Sequence, residues 1–144
     1  MRFDEDFGFL TVHFRYPDHS RLKIDFNQYS RKKLQKGVIW RGLEIDSLVD
    51  IAVNKLSTIS ISPRGRDYID FYLIEIKRKF AIDTLLRQTK KKFGEEIDSI
   101  QLAKNFLKVS EYTDFPKMLI PLDEANMLRF YERCAGGLRS RILK

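Results

Sequence analysis

The chain has 144 residues, of which 43% are hydrophobic and 33% charged, the balance of one folded domain with a core of its own rather than of a disordered chain. No uninterrupted apolar run approaches the ~20 residues needed to span a bilayer, and the start, Met1-Arg2-Phe3-Asp4-Glu5-Asp6, is acidic and lacks the apolar stretch of a signal peptide. A net charge of +7, from 27 basic against 20 acidic side chains, admits a polyanionic partner.

Phe7 to Tyr16 alternates as a strand does, with Leu10, Val12, Phe14 and Tyr16 on one face and Phe9, Thr11, His13 and Arg15 on the other. Pro17-Asp18-His19-Ser20 reads as a turn, and Leu22 to Phe26 as a returning antiparallel strand that places Lys23 and Asp25 on one face. Gln28 to Lys36 is polar and reads as a loop. Val38 to Leu43, around Trp40, is a third extended segment.

From Ser47 the period becomes helical. Ser47 and Asp50 resemble a capping box, and Leu48, Ile51, Ala52, Leu56 and Ile59 form one apolar stripe that also contains Lys55. Pro63 and Gly65 separate this helix from a second, Arg66 to Phe80. Its main stripe is Ile69, Tyr72, Leu73, Ile76 and Phe80, and Phe71 and Ile74 form a second apolar edge. Ile82 to Phe93 is a third helix closed by Gly94, Ile100 to Val109 a fourth, and Leu122 onward a last one weakened by Gly136-Gly137. Strands precede helices, so the expected class is α+β: one domain over 1–144, with strands in about 7–43 and helices in about 47–144. The single cysteine, Cys134, cannot form an internal disulfide and points to a reducing, cytoplasmic setting.

Two readings of Lys55 stand: an ammonium that snorkels to water from the rim of the stripe, or a phosphate-binding point charge. Asp67 and Asp70 share a helix surface, and Arg66 is four residues before Asp70, close enough to pair. Asp67 suits a first helical turn, whereas Asp70 stands among Ile69, Phe71, Tyr72 and Leu73 and is better explained by a site. Asp25 is either a strand residue facing water or a Mg²⁺ ligand. Lys77, Arg78, Lys79, Arg87, Lys90, Lys91 and Lys92 make a basic stretch, read as a solvated face or a polyanion surface. His13 and His19 lack a third ligand at zinc spacing, Cys134 has no catalytic context, and no Walker A loop or Gly-x-Gly-x-x-Gly occurs.

Leu22-Lys23-Ile24-Asp25-Phe26, then Leu48 through Leu56 with its Lys55, then Arg66-Asp67-Tyr68-Ile69-Asp70-Phe71-Tyr72-Leu73, and then the helix ending Lys91-Lys92-Phe93-Gly94 together resemble the AbiEii/AbiGii nucleotidyltransferase toxin family. The resemblance implies a nucleotidyltransferase-like fold and a toxin of a toxin–antitoxin pair that transfers a nucleotidyl group from an NTP, with Mg²⁺, to an acceptor such as tRNA or another RNA. It implies that Lys55 contacts nucleotide phosphate, that Asp70 belongs to the family's last motif with Arg66 and Asp67 in support, and that Asp25 is the later strand carboxylate. Lys77, Arg78, Arg87, Lys90 and Lys91 would face the acceptor, and a cognate antitoxin would be a partner. The family's Gly-Ser turn does not occur in the sequence, and Asp4-Glu5-Asp6 lacks the frame of its Asp-x-Asp motif. The expectation is therefore a C-terminal portion of such an enzyme, truncated or inactive alone. The alternative is a non-catalytic basic module for RNA or protein with a structural Lys55–Asp70 pair.

Overall fold

The alternation read from residue 9 onward becomes a strand register. In the computed structural model, which describes residues 2–6 and 8–142, Leu10, Val12 and Phe14 of β2 (Phe9–Arg15) lie opposite Phe26, Ile24 and Leu22 of β3 (Arg21–Asn27). Because the pairing is antiparallel and in register, the two apolar sets share one face of the sheet. The turn forms as expected: the Ser20 N–H and hydroxyl both donate to Asp18, at 2.9 and 2.7 Å, and His19 takes a left-handed φ of 64°. A strand the sequence reading did not foresee, β1 (Arg2–Asp6), pairs antiparallel with β2 and completes a sheet of order β1-β2-β3. Phe7, the expected start of the first strand, lies outside the described residues.

The chain divides into two compact units, 1–31 and 32–144. The first is the three-stranded sheet. The second begins with a small hairpin, β4 (Val38–Trp40) and β5 (Leu43–Ile45), in place of the single extended segment expected there. Arg41 and Gly42 form its two-residue turn with φ of 50° and 80°. Two consecutive positive φ values match the right-handed twist of the flanking strands, and a glycine at the second position meets that demand without strain.

Five helices follow: α1 (Leu48–Ile61), α2 (Gly65–Arg78), α3 (Ile82–Phe93), α4 (Ser99–Leu107) and α5 (Glu124–Ile142), with a short 3₁₀ turn at Lys108–Glu111. The class is α+β, with strands first and helices after. Ser47 caps α1 by accepting from the Asp50 N–H at 3.1 Å. Asp98 caps α4, and Gly94 closes α3 with φ of 84°. α2 stops at Arg78, two residues earlier than expected, because Lys79 adopts a left-handed φ of 53°. Gly136 and Gly137 do not interrupt α5, whose inward residues Met127, Tyr131, Ala135 and Leu138 recur at helical spacing and hold it by packing.

The core of this unit is aromatic. Tyr68, Phe71, Phe106 and Tyr131 are fully buried, and the rings of Tyr68 and Tyr131 meet edge to face at 5.1 Å. The phenols of Tyr68 and Tyr131 both have an acceptor: Tyr68 donates to the Asn105 carbonyl at 2.6 Å and Tyr131 to the Tyr68 carbonyl at 2.7 Å. Asn105 donates in turn to the carbonyls of Ile59 and Ser60 near the C-terminal end of α1, groups that have no partner within their own helix. α2 is buried through Tyr68, Ile69, Phe71, Tyr72 and Ile74, whereas Ile76, expected in the stripe, is half exposed.

At the start of α2, Gly65 donates its N–H to Asp114 at 3.1 Å. A Cβ there would lie 2.6 Å from Asp114 Oδ1 and 2.9 Å from Phe115. Gly65→Ala should therefore displace the Asp114–Phe115 segment, break that bond and cost about 1–2 kcal/mol in urea unfolding. A loss below ~0.3 kcal/mol would mean the segment moves freely.

Candidate functional site

Lys55 reaches across from α1 to the first turns of α2. Its Nζ lies 2.9 Å from Asp67 Oδ1 and 2.6 Å from Asp70 Oδ2. The buried stripe of α1 runs through Val49, Ala52, Val53, Leu56 and Ile59, so it is rotated from the expected one, and Lys55 stands at its rim with 21% of its side chain exposed. Asp67 is 1% exposed and Asp70 47%, so the three groups form a line from the interior to solvent.

The arginine of this cluster is Arg64. Its Nε lies 2.9 Å from Asp67 Oδ2, and its Nη2 and its backbone N–H also reach the same carboxylate. Arg66, which spacing allowed to pair with Asp70, is exposed, and Asp70 takes Lys55 instead. Arg64 is legible after the fact: it stands three residues before Asp67, the spacing of a reciprocal cap, and its backbone N–H is one of the helix-end donors that need a partner.

The electrostatics follow from this geometry. Burial pushes the Asp67 carboxyl up, but the bonds from Arg64 and Lys55 outweigh it and hold the carboxyl below the usual range. Burial likewise lowers the Lys55 ammonium, and the bonds to Asp70 and Asp67 more than reverse this and raise it. Two cations and two carboxylates make the cluster formally neutral. Its exposed members, Asp70 and Arg64, are the ones an incoming anion would meet first.

The basic side chains divide. Lys77 and Arg78 in the last turn of α2, and Arg87, Lys90 and Lys91 on α3, are all exposed. Lys90 pairs with Glu96, and Arg87 donates to Thr84 at 3.1 Å. Lys92, counted with this stretch in the sequence, is buried. Its ammonium sits 2.7 Å from Asp50 Oδ1, and both side chains are fully enclosed. Asp50 also accepts from the Leu34 and Gln35 N–H groups and from the Ser47 hydroxyl. The spacing Leu85, Thr89, Lys92 carried the signal, since these residues fall on one face of α3 and all three are buried.

Asp25 belongs to the unit 1–31. It accepts from the Thr11 hydroxyl at 2.7 Å and pairs with Lys23 at 3.0 Å. Mg²⁺ takes several oxygens, and no group of three or more His, Cys, Asp or Glu that could hold a metal occurs among the described residues. Asp25, already engaged by a hydroxyl and an ammonium, does not by itself fit the ion. Among the described residues, no helix is long and apolar enough to cross a membrane. No family model, curated protein or solved structure matches the chain.

Proposed function

We propose that this chain acts within a nucleotidyltransferase-like toxin of the AbiEii/AbiGii kind, in the cytoplasm, on an NTP and an RNA acceptor such as tRNA, with an antitoxin as cognate partner. The observation that carries the reading is the convergence of Lys55 from α1 on Asp67 and Asp70 of the Arg-Asp-x-x-Asp run of α2. A lysine so held has its point charge fixed in place. Of its two partners the more exposed, Asp70, is the one that a nucleotide phosphate would displace. The exposed Lys77, Arg78, Arg87, Lys90 and Lys91 provide a surface for the acceptor's backbone.

Mg²⁺ and an NTP are the cofactors of this reading. The metal would supply charge neutralisation to the triphosphate, but the described residues form no group of three or more ligands that would hold it. The Gly-Ser and framed Asp-x-Asp motifs are not in these 144 residues. The function assigned to the chain itself is therefore phosphate and acceptor binding.

Calorimetry with each of the four NTPs, with and without Mg²⁺, tests this. Wild type should bind at least one of them, and Lys55→Ala should bind at least ~10-fold more weakly, about 1.4 kcal/mol. Absence of NTP binding, or equal binding by the variant, would overturn the nucleotide site. The second reading, a basic RNA- or protein-binding module, is favoured by one fact: Lys55 is already neutralised by two carboxylates, as in a structural pair. It expects no NTP binding, together with RNA binding that weakens steeply with salt. Replacing Arg87 or Lys91 by Gln should then lower the salt slope by about one per contact.

A further inference from the structure

The end of α2, the α2–α3 junction and α5 border an open cleft of about 660 Å³, within the ~300–1,000 Å³ range of small-molecule sites. Ile76, Phe80, Ile82, Phe130 and Leu138 give it apolar walls. Four charged side chains line it: Lys79, Asp83 and Arg133 are exposed, and Glu75 is the one that is buried. Cys134 and Tyr131 of α5 lie within reach of the Glu75 charge. Glu75 is 5% exposed, and its Oε1 meets no hydrogen-bond donor among the described residues. The contrast inside the same unit is informative: buried Asp50 receives four donors and buried Asp67 is bonded to Arg64 and Lys55. Buried carboxyl oxygens are as a rule partnered, and one left open beside an apolar cleft lacks the group that would complete it.

We propose that this cleft is a binding site for a small apolar primary amine, whose ammonium docks on Glu75 and whose hydrocarbon packs against Phe80, Ile82 and Phe130. An ammonium fits better than a neutral donor, because it gives the hydrogen bond and the opposite charge that a buried carboxylate needs. Burial lifts the Glu75 carboxyl to about 7, with the Phe80 N–H pulling it back part of the way. An amine, charged throughout this range, therefore binds better as the pH rises and the acid ionises. The site is separate from the Lys55 cluster. Glu75 is five residues beyond Asp70 on α2, ~7.5 Å along the helix axis, and none of Lys55, Arg64, Asp67 and Asp70 lines the cleft, so the failure of either proposal leaves the other standing.

The test titrates three matched probes into the ¹⁵N-labelled protein by NMR: 3-phenylpropan-1-amine, 3-phenylpropan-1-ol and the methyl ether of the alcohol. The amine should shift amides of residues 75–83 and 130–138 and bind at least ~10-fold more tightly than the ether, with the alcohol between them. Its affinity should rise roughly tenfold between about pH 6 and pH 8, following the ionised fraction of Glu75. Glu75→Met should reduce the amine to the level of the ether and remove the pH dependence. Gly137 lines the cleft, and a Cβ there meets nothing within 4 Å. Gly137→Phe should therefore fill the cleft and abolish binding of all three while α5 stays folded. Equal binding of the three probes, binding of none, shifts elsewhere, or an amine affinity unchanged in both variants would overturn the assignment.

Discussion

Lys92→Met should lower the unfolding free energy by about 3–5 kcal/mol, the largest loss expected from a single change outside the aromatic core. The pair it breaks is wholly enclosed, and removing the ammonium leaves the Asp50 carboxylate buried with only the Leu34 and Gln35 N–H groups and the Ser47 hydroxyl for support. Replacing both members by apolar residues would not restore stability, because those three donors would then lose their acceptor. The same geometry sets a pH dependence. Burial pushes the Asp50 carboxyl up, but the Lys92 bond and the other three donors outweigh it and hold the carboxyl at about 2. A depressed acid stabilises the fold above its unfolded value of about 3.8, and this stability is lost as the pH falls through about 2. The loss is about 2 kcal/mol. Urea unfolding of wild type and variant near neutrality, and of wild type across the acid range, measures both effects. A Lys92→Met loss under ~1 kcal/mol would show that the pair is not buried in solution.

Glu75→Met should change stability by an amount that depends on pH, in the opposite sense. A buried acid whose carboxyl is raised to about 7 contributes its full stability below the unfolded value of 4.5 and loses it as the pH climbs through about 7. Wild type should therefore lose about 3 kcal/mol between about pH 4 and pH 8 from this residue, and the methionine variant should not. Methionine is similar in length and brings no carboxyl oxygen that needs a donor. The gap between the two chains should thus move by about 3 kcal/mol in favour of the variant as the pH rises. Parallel unfolding curves at the two pH values decide it. A gap that stays constant would mean that Glu75 finds a partner or reaches water.

How far the sequence reaches depends on the range of the interaction. Alternation over Leu10, Val12 and Phe14 determined the shared face of β2 and β3, since side chains alternate along any strand. Ser47 and Gly94 determined where α1 begins and α3 ends, because caps act on backbone groups a few residues away. The spacing from Lys55 to Asp67 and Asp70 singled out the residues that meet, although the arginine that joins them is Arg64 rather than Arg66. The α+β order of strands before helices was likewise legible from local periodicity.

Tertiary packing decided the rest. Lys92 is one of three consecutive lysines, and only the docking of α3 on α1 turns it inward to Asp50, 42 residues away, while Lys90 and Lys91 stay in water. α5 continues through Gly136 and Gly137 because Tyr131, Ala135 and Leu138 bury a continuous face, which outweighs the poor helix propensity of two glycines. Glu75 and Glu111 are the same residue type on the same chain. Yet one is enclosed by α2, the α2–α3 junction and α5 and the other faces solvent, a difference set by which helices pack together. Local sequence determined the elements and the residues able to do chemistry. Lys92, Leu34 and Gln35, which lower Asp50, Lys55, which lowers Asp67, and the burial that raises Glu75 all come from other segments of the chain, and so belong to the fold.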